Sequence, residues 1–220
     1  MMINLGKLFR NIPVKVHWLT LVFLLYVLVA HGVNFFAILL GVFGLVFLHE
    51  HGHIKAAEMY GIKTKYIVFL PFGAAAVMPL HKGEENWKQE LVISAAGPLV
   101  NFVLAPVFLL LGLLSAPFPV VSTLFTYAAI INAGIGLFNL VPAFPMDGGR
   151  MLRSIFVKYT GDFMKSTIWS VWVARIMSVA VLLPYAIWIQ SFMLPVIVVF
   201  IWIYGSNEIK RVRKRHGTTA

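Results

Sequence analysis

The chain has 220 residues, 60% of them hydrophobic and only 12% charged, with a mean hydropathy of +0.87. That balance excludes an ordinary soluble domain and fits a polytopic membrane protein. A formal charge of +10 would suit a nucleic-acid binder, so the placement of the 18 Lys and Arg residues has to decide.

The first apolar run, Trp18 to Ala30, follows Lys7, Arg10 and Lys15, and no small-residue cleavage site closes it. It reads as a retained helix rather than a signal peptide. Hydropathy predicts an all-α membrane fold of about six transmembrane helices, at roughly 16–32, 35–57, 91–114, 119–141, 167–189 and 192–206. No Lys or Arg lies between the first and second, third and fourth, or fifth and sixth of these, whereas every other connection carries them. By the positive-inside rule both termini are cytoplasmic, and the positive charge is a topology signal rather than a nucleic-acid footprint. The tail, residues 207–220, holds the basic run Lys210 to Arg215 and is expected against anionic lipid headgroups. Residues 1–220 read as a single membrane domain with its core spans at 35–149. The chain contains no cysteine, which removes disulfides and leaves nitrogen and oxygen ligands for any metal.

The second predicted span ends in Leu48-His49-Glu50-His51-Gly52-His53, an HExxH pattern. On a helix His49 and His53 lie one turn apart on one face, where both imidazoles can reach one metal ion, with Glu50 beside them as a candidate general base. His51 points about 200° away and reads either as a residue that supports the metal ligands from outside or as a packing residue. If hydrocarbon begins near Asn34, His49 lies roughly 22 Å into a core about 30 Å thick, nearer the cytoplasmic face that carries Lys55.

The segment Lys65 to Met78 is rich in β-formers and interrupted by Pro71 and Gly73. Two readings stand for it. One is a linker with β character; the other is a strand or hairpin at the cytoplasmic interface whose edge pairs with an extended peptide, with Gly73 in the docking element. In the third span, Asn101 follows Gly97-Pro98 and is read either as an interhelical hydrogen-bonding group or as one that orients a substrate's backbone. The fourth span ends in Asn139-Leu-Val-Pro142-Ala-Phe-Pro145-Met146-Asp147-Gly-Gly149-Arg150, which cannot continue a regular helix, so Asp147 is expected on irregular backbone. Charge counting runs the second and fourth spans in the same direction. Asp147 is therefore either a third metal ligand or a carboxylate paired with Arg150 or Arg153.

Two neutral imidazoles and a carboxylate around one Zn²⁺ leave a fourth position for water, whose pKa the ion lowers to about 7; Glu50 can then relay a proton to a leaving amine. That is peptide-bond hydrolysis. Two alternatives are a transporter with a metal or proton site, and a di-metal membrane oxidase. The first would distribute polar groups through the membrane depth, and the second would require more His and carboxylate ligands than the sequence offers. The three motifs together, HExGH, Gly-Pro-x-x-Asn at Gly97 to Asn101, and Asn-x-x-Pro-x-x-Pro-Met-Asp-Gly-Gly at Asn139 to Gly149, resemble the site-2 protease family of intramembrane zinc metalloproteases. The resemblance covers about residues 10 to 206, with Met146 where the family usually has Leu. It implies that His49, His53 and Asp147 hold one zinc, that Glu50 is the catalytic base, and that Asn101 and Asn139 help hold the substrate. It further implies that the strand after HExxH docks an unwound transmembrane segment of a membrane-protein substrate. The lack of a large extracytoplasmic insertion is similar to the compact branch without a PDZ domain. That branch often carries a cytoplasmic CBS domain after the sixth helix; the sequence stops at Ala220, and the nucleotide-dependent regulation of that domain is not carried over.

Overall fold

A computed structural model describes residues 2–9, 12–71, 73–78, 86–190 and 193–215. It is mostly helical, with one small sheet. The chain folds as two compact units, one of Met1–His81 with Ala96–Leu137 and the other of Lys82–Ala95 with Phe138–Ala220, so that two of the boundaries fall within helices.

The first unit opens on two strands that the helix prediction did not anticipate. β1 (Met2–Phe9) and β2 (Ile12–His17) pair antiparallel from Met2↔His17 to Phe9↔Ile12. In β2, Val14 and Val16 are buried while the residues between them are less so, the period-two pattern of a half-covered strand. Helix α1 (Trp18–Met59) begins where the Leu19 N–H donates to His17 Nδ1 at 3.3 Å. It is interrupted at Gly32, whose φ of 79° and ψ of 175° leave helical space. The break separates the two apolar runs that the sequence predicts as the first and second spans.

After α1 the chain returns to the sheet. β3 (Tyr66–Leu70) lies parallel to β2, with Val14 opposite Ile67, and antiparallel to β4 (Gly73–Val77), giving the order β1-β2-β3-β4 with β4 at an edge. The hairpin part of the second reading therefore holds and the linker reading fails. The hairpin is tied to α1: Thr20 Oγ1 donates to the Phe69 carbonyl at 3.1 Å, and the Phe69 ring packs against Phe43 and Phe47 with centroids 5.9 and 6.2 Å away. Helices α2 (Trp87–Leu114, from Ala96 onward) and α3 (Pro119–Asn139, to Leu137) complete this unit.

The second unit holds the first turns of α2 and everything from Phe138 onward. The irregular stretch foreseen around Pro142 and Pro145 is present but ends one residue earlier than expected. Asp147 is the first residue of helix α4 (Asp147–Thr160), not part of the irregular backbone. Gly148 and Gly149 permit this, because a Cβ on either would collide with backbone between Leu140 and Phe144. α5 (Phe163–Met177) runs through a π-helical turn, Ser178–Leu182, into α6 (Leu183–Trp188), and α7 (Met193–Arg215) ends in the basic run.

A buried ionic cluster lies in this unit. Arg153 Nε donates to Glu90 Oε1 at 3.1 Å, its Nη2 donates to the same carboxylate, and its Nη1 donates to Glu208 at 2.5 Å. Glu90, Arg153 and Glu208 come from α2, α4 and α7, so one guanidinium joins three helices. Burial would lower the Arg153 pKa, but the two carboxylates more than offset it and raise it above the ordinary arginine value. For Glu208 burial pushes upward, and the Arg153 and Arg211 charges overcome it and hold the carboxyl below its usual range.

Four helical stretches among the described residues are long and apolar enough to cross a membrane: Trp18–Met59, Trp87–Leu114, Pro119–Asn139 and Phe163–Tyr185. Large apolar side chains such as Val29, Leu113 and Ile187 face outward, while Asn101, Asn132, Ser94 and His49 are buried. Apolar outside and polar inside is the reverse of a water-soluble domain, and it identifies a multi-pass membrane protein.

Candidate metal centre and active site

The last turns of α1 place His49 and His53 on one face, and both are buried. Their rings meet edge to face with centroids 4.8 Å apart, and His49 Nε2 lies 3.1 Å from His53 Nε2. Two nitrogens each about 2.0–2.1 Å from one tetrahedral ion are separated by roughly 3.0–3.4 Å, so the spacing suits a shared zinc.

A chain of amides fixes which nitrogen of His49 faces inward. The Ala128 carbonyl can only accept, so Asn132 turns its Nδ2 toward it and donates at 3.0 Å. Asn132 Oδ1 then accepts from Asn101 Nδ2 at 2.9 Å. That leaves Asn101 Oδ1 to accept from His49 Nδ1 at 2.5 Å. The proton of His49 is therefore on Nδ1, and the lone pair on Nε2 points at His53. His53 Nε2 can meet that lone pair with its own N–H, or, with its proton on Nδ1, turn a second lone pair to the same point; in the second state the two nitrogens form the donor set that zinc prefers.

Glu50 completes the cluster. One ligand atom from each of His49, Glu50 and His53 lies within 4.8 Å of the others, a span that a single water can bridge. Glu50 Oε2 also accepts a hydrogen bond at 2.7 Å from the backbone N–H of Ala76 in β4. The sheet and the HExxH turn are thus joined at the candidate base. Opposite them, α2 approaches through Gly97. A Cβ there would fall 2.7 Å from His49 Cε1 and nearer still to His53, so any larger residue would displace the ligands.

The residues predicted from sequence separate as follows. His49, Glu50 and His53 converge, and His51 lies outside that group. Asn101 binds His49 and Asn132, which favours the interhelical reading and gives it the task of orienting the His49 ring. Gly73 opens β4 opposite Leu70 with φ of 145°, a conformation that favours glycine, so it shapes the hairpin. In the second unit, Asp147 is a buried residue of the first turn of α4 and Asn139 closes α3. The arginines offered as partners for Asp147 are turned to Glu90: Arg153 binds it, and Arg150 Nε lies 3.8 Å from it. Asn132 and Ala76 were not singled out by the sequence. The one signal for Asn132 was an amide inside an apolar run, and a backbone donor such as that of Ala76 leaves no signal at all.

The matches to known proteins point the same way. The model of peptidase family M50 matches residues 36–123 and 116–183. A zinc metalloprotease of Methanocaldococcus jannaschii is 33% identical over 219 residues, covering 94% of this chain and 60% of that protein. Stage IV sporulation protein FB of Bacillus subtilis is 32% identical over 114 residues, 52% of this chain and 38% of that protein. Among solved structures, the site-2 protease from Methanocaldococcus jannaschii matches with a TM-score of 0.68 and 29% identity, covering 95% of each chain. With two buried imidazoles at zinc spacing, a family model matching residues 36–183 and a 33% identical relative covering 94% of the sequence, the chain belongs to peptidase family M50.

Proposed function

We propose that this protein is an intramembrane zinc metalloprotease that hydrolyses a peptide bond within or near the transmembrane segment of a membrane-protein substrate. The observation that carries the reading is the buried His49–His53 pair with Glu50 beside it. Bound zinc would supply Lewis acidity, lowering the pKa of water to about 7 and polarising the scissile carbonyl. His49 and His53 hold the ion, Glu50 takes a proton from the attacking water, and the same carboxylate delivers it to the departing amine nitrogen. Asn101, steadied by Asn132, keeps the His49 lone pair on the inward side.

Asp147 is the proposed third ligand. Its support is the position of the Pro-Met-Asp-Gly-Gly motif after the fourth predicted span and the membership of the family. Asn139, from the same motif, is proposed to hold the substrate backbone together with Asn101, and one zinc per chain follows from this ligand set. A helical substrate shelters its carbonyls in hydrogen bonds, so local unwinding has to precede attack. The β4 edge, shaped by Gly73, offers replacement partners to the freed strand. The count of six spans, cytoplasmic termini, and a site nearer the cytoplasmic face are supported by the distribution of Lys and Arg. Transport is the weaker reading, because His49, Glu50 and His53, a group able to hold a metal, gather at one turn of α1.

The test is detergent-solubilised protein with single-span substrates, with and without a chelator. Cleavage stops on chelation and returns with zinc. Glu50→Gln abolishes cleavage with zinc content unchanged, and Asp147→Ala loses zinc. Cleavage that survives the chelator, or a metal-replete Asp147→Ala, would remove the zinc or ligand assignment respectively.

A further inference from the structure

β4 is the edge strand of the sheet, and alternation decides which of its backbone groups face outward. Gly73 pairs with Leu70 across the tight turn, Val68 with Ala75, and Tyr66 with Val77. The Ala76 N–H points away from β3, because it donates to Glu50. Ala74, two residues earlier, presents its N–H and carbonyl to the same side. The free edge of β4 therefore faces the HExxH turn of α1, and at Ala76 the outward donor is already held, at 2.7 Å, by the carboxylate of the candidate base.

We infer that the Glu50–Ala76 hydrogen bond is a latch: an extended peptide adding to the β4 edge takes the Ala76 N–H and frees the Glu50 carboxylate to turn from the sheet toward the His49–His53 pair, so docking and positioning of the base are one event. The inference rests on the protease reading and adds the coupling. The bond to Glu50 is charge-assisted and stronger than a neutral peptide pair, so one new peptide hydrogen bond does not displace it. Pairing at Ala74 supplies the remainder. The competent ligand is thus a segment extended over at least three residues, able to pair at Ala74 and Ala76 together. A still-helical transmembrane segment has its carbonyls occupied and leaves the latch closed. The device keeps the base engaged in a membrane crowded with helices that are not substrates. No bond to the protein is made or broken covalently; one acceptor replaces another on the Ala76 N–H.

Two measurements on the zinc-loaded full chain test this. In the first, amide hydrogen exchange is followed across 73–78. The Ala76 amide is expected to exchange at least tenfold faster in Glu50→Ala than in the natural sequence, with Ala75 and Val77 unchanged. Equal Ala76 rates in the two proteins would overturn the latch whatever the enzyme cleaves. In the second, Ala76→Pro removes the N–H at an outward-facing edge position, where proline is tolerated. This variant is expected to cleave a short unstructured peptide several-fold faster than the natural sequence, and a helical transmembrane substrate several-fold more slowly. Equal losses on both would mean that the Ala76 N–H holds Glu50 in its working position, and would overturn the proposal. Absence of cleavage by the natural sequence on either substrate would count against the protease reading instead, leaving the exchange result to judge the latch alone.

Discussion

The imidazole of His49 can present its lone pair from either nitrogen, and the choice is made three residues away. Ala128 O, Asn132, Asn101 and His49 Nδ1 form one directed chain in which each amide is oriented by the last. Replacing Asn132 by leucine leaves Asn101 free to rotate and to present its Nδ2 to His49. Zinc affinity is then expected to fall about 10–100-fold, the usual cost of losing an outer partner of a metal ligand. Isotope shifts of the His49 ring nitrogens should show both tautomers where the natural sequence shows one; an unchanged tautomer and affinity would reject the relay. Much of this site was legible in the sequence, because HExxH declares its ligands by spacing alone. The relay was not. Asn101 was visible only as an amide needing a partner, and the partner's identity depends on how α2 and α3 face each other.

At the scale of elements, the ion cluster of Glu90, Arg153 and Glu208 fastens α4 to the start of α2 and to α7. Its pH dependence has a definite sign. Glu208 is held below its ordinary value of 4.5, so its contribution is fully present above that pH and is lost as pH falls through the lowered native value. Glu208→Gln removes one charge-assisted bond to Arg153, at a cost of about 1.5–3 kcal/mol near neutrality, and flattens the acid limb of stability. Thermal unfolding followed between neutral pH and pH 3 is the check; parallel acid limbs in the two proteins would show that Glu208 does not titrate on unfolding. This cluster escaped the sequence reading because Glu90 and Glu208 lie in polar segments that read as solvated, and contact between them needs the tertiary fold. The hairpin was half legible. Pro71 and Gly73 marked its turn, but the strands that complete its sheet come from the first 17 residues, where the apolar signal is weak and the basic residues read as a flank.

For the whole molecule, the cysteine-free sequence makes topology directly measurable. Single cysteines at Ser115, between α2 and α3, and at Lys214, in the basic end of α7, are expected to react with an impermeant maleimide from opposite faces in intact cells. Labelling of both from one face would overturn the charge-based orientation. The order of strands in the sheet carries one further consequence, for the way the protein is made. Because β2 and β3 are parallel neighbours joined through the whole of α1, the hairpin can find its sheet partner only after that 42-residue helix has been made. Until then the β1–β2 ribbon lacks its parallel neighbour. Biogenesis thus postpones assembly of the proposed docking sheet until α1 is in place, and a nascent chain stalled before β3 emerges is expected to lack it.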